Sequence, residues 1–108
     1  MIPSIGYRIE ISGRTAVITG DTDHCDDVVK LAQDCDILIC ECSMPDDKYV
    51  KGHMTPSRAA KTARDAGAKS LLLTHFYPEC DEIDVAGVCR KYYDGPIFLA
   101  QDLMQLRV

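Results

Sequence analysis

Three polar residues stand where three apolar runs end. Asp21 follows Ala16-Val17-Ile18-Thr19-Gly20, Glu41 follows Ile37-Leu38-Ile39-Cys40, and His75 follows Leu71-Leu72-Leu73-Thr74. Carboxylates and imidazoles are the side chains that ligate metal ions and move protons, and open α/β sheets bind ligands outside the carboxyl ends of their strands. If the three runs are neighbouring strands, their polar ends share one site. Two-residue alternation puts Val17, Thr19 and Asp21 on one face of their strand, and Leu71, Leu73 and His75 on one face of theirs. Asp21 and His75 can then converge on a metal ion. A fourth residue, His53, lies in Lys51-Gly52-His53-Met54-Thr55, just ahead of a helix start.

Each of these residues also has a structural role open to it. Asp21 suits a turn or a cap, His75 a strand-end imidazole bonded to backbone, and His53 an ordinary loop position. Glu41 is harder to read that way, because a carboxylate closing so apolar a run needs a partner if it is buried. His24, in Asp21-Thr22-Asp23-His24, has only its nearness to Asp21 in sequence and stays outside the candidate set. Asp26-Asp27 suits the first turn of a helix, and Tyr92-Tyr93 suit packing. The six cysteines, at 25, 35, 40, 42, 80 and 89, fall mostly in apolar segments and form no Cys-x-x-Cys pair. They read as a reduced interior rather than a disulfide frame or a structural zinc site.

The elements that must position these residues fit into one domain. With 108 residues, 46% hydrophobic and 27% charged, the chain is a folded unit with no room for a second core. Its formal charge of -5 argues against general nucleic-acid binding. No apolar run approaches the roughly 20 residues that cross a bilayer. Met1-Ile2-Pro3-Ser4 lacks the basic-then-apolar layout of a secretory signal, so a cytoplasmic location is expected.

Apolar strand-like runs alternate with helix-like stretches, which predicts an α/β fold. Residues 7–12 and 14–20 predict a hairpin about Ser12-Gly13, and 26–34 a short helix. Residues 36–43 and 70–76 are nearly continuous apolar runs, suited to central strands buried on both faces. Between them, 56–68 predicts a helix with Thr55 as N-cap, Pro56 as first residue and Gly67 as stop signal. Residues 81–92 predict a further helix, 97–100 a strand, and 103–108 a final short strand.

In chain order, Gly20-Asp21-Thr22, Glu41 behind its apolar run, Gly52-His53-Met54-Thr55 and Leu73-Thr74-His75-Phe76 resemble the C-terminal half of the metallo-β-lactamase fold hydrolases. Within them the pattern is similar to the ribonuclease Z branch, the zinc phosphodiesterases that mature transfer RNA 3′ ends, and to the cyclic-phosphodiesterase-like hydrolases around it. The resemblance spans residues 7–108. It implies an αββα sandwich, of which this chain supplies a β-sheet with helices packed on one face. It implies that Asp21 bridges two metal ions and that His75 binds one of them. Glu41 and His53, by the same resemblance, form a relay that gives a proton to the leaving oxygen. The implied cofactor is a pair of zinc ions, with manganese as an alternative, and the implied substrate a phosphodiester.

The match has a boundary. The family's His-x-His-x-Asp-His motif and a further ligand histidine belong to its N-terminal half, and no such motif occurs in these 108 residues. The chain alone is therefore expected to be a partial and inactive portion of a hydrolase. Tyr77-Pro78 stands where ribonuclease Z has Ser-x-Arg-Tyr, and the acidic balance adds no support for RNA as the substrate. Lactam or thioester hydrolysis on the same centre stays open, because a fold does not fix a substrate. A non-catalytic, association-dependent module also stays open. A lone half exposes the inner face of its sheet, so a homodimer is expected through residues such as Val17, Leu71 and Leu73.

Overall fold

The computed structural model describes residues 6–20, 25–42, 45–48, 54–74 and 84–100. They form a five-stranded sheet in the order β1-β2-β3-β4-β5, with β1 Gly6–Ile11, β2 Arg14–Thr19, β3 Ile37–Glu41, β4 Leu71–Thr74 and β5 Ile97–Leu99. The β1-β2 pair is an antiparallel hairpin, and β2 through β5 run parallel. Helices α1 Asp26–Leu31, α2 Pro56–Ala66 and α3 Val85–Arg90 make the parallel connections. Crossovers of one hand that always step the same way along a sheet put every helix on the same face. No helix among the described residues is long and apolar enough to cross a membrane.

Local chemistry explains most of the boundaries. Ile11 pairs with Arg14, leaving Ser12 (φ 52°) and Gly13 (φ 78°) as a two-residue turn with both φ positive, the geometry that matches strand twist. Helix α1 stops at Leu31, short of the expected 34. Arg8 reaches across from β1 to donate to the carbonyls of Leu31 and Gln33, both at 2.9 Å, and Asp34 turns left-handed at φ 56°. Helix α2 begins at Pro56 as expected and ends on Gly67, whose φ of 70° lets the amides of Gly67 and Ala68 return to Arg64 and Ala63. Helix α3 is capped by Asp84, which accepts the Gly87 amide at 3.1 Å. The expected start of that helix at 81–83, the ends of two strands at 43 and 75–76, and the final strand at 103–108 lie outside the described residues.

The core lies between the sheet and the helices. Leu38, Cys40, Leu71, Leu73 and Val17 point toward Val28, Ala59, Ala60, Ala63 and Cys89, all of them buried. Alanines at 59, 60, 63 and 66 make one face of α2 small enough to lie close on the strands. Tyr93 closes one end of this core, donating its hydroxyl to the Ala68 carbonyl at 2.7 Å, and Tyr92 packs against it, as read from the sequence.

Two expectations about the faces need correction. Val17, Leu71 and Leu73 are fully buried under the helices, so they line no contact with a second molecule. Nor are the central strands enclosed alike on both sides: on the face away from the helices Ile37 is buried, but Ile39 and Leu72 are only half-buried, while Leu38, Cys40, Leu71 and Leu73 are fully buried. The physical reason is the one-sided helix layer. Register carries the opposite face across the sheet as the row Tyr7, Ile18, Ile39, Leu72 and Phe98. Exposure on that face concentrates on the hairpin, where Tyr7 and Ile11 are 66% and 68% exposed.

At the amino ends of the parallel strands, Asp36 ties three of them together. Its carboxylate accepts the Thr15 amide at 2.7 Å and lies 3.3 Å from Lys69 and 3.9 Å from Arg14, and its carbonyl accepts from Ser70. The Thr15 amide and then Lys69 hold its carboxyl below the usual range. This end is a structural anchor, and it leaves the carboxyl ends for chemistry.

Candidate functional site

The described residues bring the carboxyl ends of β2, β3 and β4 side by side. Ile18 pairs with Ile39, and Glu41 pairs with Thr74. The ladder continues past the strands, because the Cys42 amide donates to the Thr74 carbonyl at 2.8 Å. Thr19 adds a cross-strand bond from its hydroxyl to the Ile39 carbonyl at 3.4 Å. Adjacent strands lie about 4.8 Å apart, so the three ends fit within roughly 10 Å of one another. One residue after Thr19, Gly20 leads into Asp21, and Thr74 leads directly into His75.

Glu41 is the candidate residue whose environment is described. It is half-buried on the face of β3 that carries Ile37 and Ile39, opposite the helices, and its Oε2 is wholly shielded from solvent. Taking a carboxylate oxygen out of water at the end of an apolar strand is costly, and proteins accept such a cost most often at functional sites. Asp21, His53 and His75 lie outside the described residues, as does His24. Met54 and Thr55, immediately after His53, are each 1% exposed.

A feature missed in the sequence lies at the start of α2. Thr55 occupies the N-cap position, but its side chain makes no cap bond, and its buried hydroxyl has no hydrogen-bond partner among the described residues. The cap comes instead from Asp46, in a short 3-10 helix Asp46–Lys48. Its Oδ1 accepts from the Ser57 amide at 3.2 Å and the Ser57 hydroxyl at 2.8 Å. The signal in the sequence was Pro45-Asp46, a turn-forming pair, but eleven residues separate Asp46 from the helix end it serves.

Four of the five described cysteines are core residues, and Cys25 is exposed. Cys35, Cys40, Cys42 and Cys89 are buried, and burial pushes the thiols of Cys40 and Cys89 up to about 12 and that of Cys35 up to about 11. Cys89 donates to the Pro56 carbonyl at 3.3 Å. Among the described residues, no three His, Cys, Asp or Glu side chains gather as a metal group. A carboxylate and an imidazole, as at Asp21 and His75, are ordinary zinc donors, but a catalytic zinc usually takes three protein ligands. The donor set fits a metal centre in part.

Comparison with known proteins decides the family. A model of the beta-lactamase superfamily domain matches residues 2–76. The chain belongs to this superfamily. It is 38% identical over 96 residues to ribonuclease Z of Myxococcus xanthus, a match covering 83% of this chain and 31% of that protein. Among solved structures it is similar to the metallo-beta-lactamase fold protein YhfI of Bacillus subtilis, with a TM-score of 0.79 and 29% identity over 89% of this chain and 41% of that one. It is similar also to human tRNase Z, short form, with a TM-score of 0.71 and 32% identity over 95% and 38%. The superfamily chain thus spans about a third of the length of the curated relatives it matches. Its sheet with helices on one face is part of the metallo-β-lactamase fold.

Proposed function

We propose that the chain is the C-terminal half of a di-zinc hydrolase of the ribonuclease Z type, acting on phosphodiesters, and that it needs the N-terminal half of the fold to work. The observation that carries this reading is the register of β2, β3 and β4, which aligns the strand ends leading into Asp21, Glu41 and His75. Similarity to ribonuclease Z and human tRNase Z supports the choice of chemistry. Two zinc ions, or manganese, supply Lewis-acid polarisation of the phosphodiester and a water made acidic enough to ionise near neutral pH.

The chain's own residues have distinct parts in this reading. Asp21 and His75 would hold the metals. His53 would give a proton to the departing oxygen, with Glu41 orienting its ring. Shielding of the Glu41 carboxylate strengthens any bond it makes to an imidazolium. Substrate contacts belong largely to the N-terminal half, so RNA is one candidate among phosphodiesters. Among the described residues no disulfide forms, which suits a reducing compartment such as the cytoplasm.

The open apolar face gives the same reading independent support. Tyr7, Ile9, Ile11 and Ile18 are exposed on the side away from the helices. A patch of that kind normally has a partner. The remainder of the fold, N-terminal to this chain in proteins about three times its length, is the partner we assign to it; a homodimer is the competing outcome. The test uses zinc-loaded protein that includes the N-terminal half. Hydrolysis of bis(p-nitrophenyl) phosphate is expected to exceed hydrolysis of a chromogenic cephalosporin by at least about tenfold in kcat/KM, as expected where bonds form to groups the wrong substrate lacks. The reverse order would overturn the phosphodiesterase reading in favour of lactam chemistry.

A further inference from the structure

Among the described residues, β1 runs along a free edge of the sheet, paired with β2 on one side and with no strand on the other. Five of its six residues, Tyr7 to Ile11, are exposed. Edge strands are commonly blunted by a proline, a bulge or a covering helix, because their unpaired amides and carbonyls invite another strand. Strand β1 has none of these. It contains no proline and matches β2 residue for residue, from Gly6 opposite Thr19 to Ile11 opposite Arg14. Arg8 pairs with the core residue Val17 and so lies, with Glu10, on the helix side, where the exposure of both shows that α1 does not overhang the edge.

The turn decides which backbone groups reach that edge. In a two-residue hairpin the pair that closes the turn, here Ile11 and Arg14, exchanges both of its hydrogen bonds, and bonded pairs alternate from there. Tyr7, Ile9 and Ile11 therefore bond to β2, while Arg8 and Glu10 turn their amides and carbonyls outward. A second β1 laid antiparallel along the edge must set outward residues opposite outward residues. It can oppose Arg8 to Arg8, Glu10 to Glu10, or Arg8 to Glu10. The first two registers juxtapose like charges, whereas the third, about a two-fold axis through Ile9, brings opposite charges together on both sides of the axis. That register also sets Tyr7 opposite Ile11 and Ile9 opposite Ile9 on the apolar face, where they are 66%, 68% and 41% exposed. We propose that β1 is a self-pairing edge through which two copies of this chain join their sheets in the register centred on Ile9. Arg8 is prepared for it: its Nη1 is fixed on the carbonyls of Leu31 and Gln33, so the guanidinium loses little freedom when a carboxylate arrives. Glu10, 3.5 Å from Arg8 of its own chain, is 69% exposed and can turn to the second copy. The pairing lies in the plane of the sheet and leaves the apolar face open to the N-terminal half, so it does not rest on the functional reading above.

Sedimentation equilibrium of the 108-residue chain tests this and separates edge pairing from pairing through the apolar face. An interface of this size is weak, so a dimer is expected at roughly 0.1 mM. Glu10→Arg opposes like charges on both sides of the axis and should raise the dimer dissociation constant about tenfold or more. It leaves Tyr7, Ile9 and Ile11 in place, so a dimer formed through the apolar face would not respond. An equimolar mixture of Glu10→Arg and Arg8→Glu chains restores opposite charges at every pair, and its heterodimer should come within about threefold of the unsubstituted dimer. Arg8→Glu also gives up the bonds to α1; if that chain does not fold, Glu10→Pro takes its place, because it removes an outward amide without touching the ladder to β2, and it should abolish the dimer. The same order of affinities is expected with the N-terminal half present. A chain that stays monomeric at that concentration, or a dimer that Glu10→Arg leaves unchanged, would overturn the proposal.

Discussion

Asp21→Ala is expected to remove both bound metal and activity from the protein that includes the N-terminal half. The reading makes Asp21 a principal ligand that would hold the metal centre, so its loss would weaken metal retention directly. Metal stabilisation of the developing charge amounts to several kcal/mol, which corresponds to a fall of roughly 10³-fold or more in kcat/KM. His75→Ala should be milder, since it removes a ligand from one ion. Elemental analysis and phosphodiester kinetics on the same samples check the prediction. An Asp21→Ala protein that keeps both metals and rate would remove Asp21 from the site and leave only a turn or cap role for it.

The second large effect concerns the sheet's two faces. Leu38→Ala is expected to destabilise the fold by about 2–5 kcal/mol, because a fully buried leucine in the middle strand leaves a cavity that close-packed neighbours fill only in part. Leu72→Ala, one strand over but on the opposite face, should cost clearly less in the 108-residue chain, since Leu72 is only half-buried there. Urea unfolding of the two variants measures the difference. Similar losses at both positions would mean that the face carrying Leu72 is already covered in solution, as in a homodimer. The same comparison repeated with the N-terminal half present should bring the Leu72 loss up toward that of Leu38.

Much of the fold could be read from local signals. The hairpin followed from alternation around Ser12-Gly13, and α2 from Pro56 at its start and Gly67 at its end, because each of those features depends on residues close in sequence. Which face the helices cover could not be read that way. Ile37-Leu38-Ile39-Cys40 and Leu71-Leu72-Leu73 are apolar at every position, so the pattern lacks the alternation that would mark an open side. An apolar open face is what a strand needs if another layer packs on it, and this made Val17, Leu71 and Leu73 look like contact residues when they are core. Of the candidate site, the alignment of the strand ends was legible because polar residues follow apolar runs, a feature that needs no tertiary knowledge, whereas Asp21, His53 and His75 themselves lie outside the described residues. Asp46 was not legible: its partner Ser57 is eleven residues away, and a threonine in the ordinary cap position supplied a sufficient local explanation.

The central claim is that these 108 residues hold part of a two-metal centre and that the remainder comes from elsewhere. Zinc and manganese per chain, measured by elemental mass spectrometry on the purified 108-residue protein without added metal, test it most directly. Two assigned ligands are too few for tight retention, so fewer than about 0.2 ions per chain are expected. Close to two ions per chain would contradict the account and show that the chain, alone or by self-association, completes a metal centre of its own.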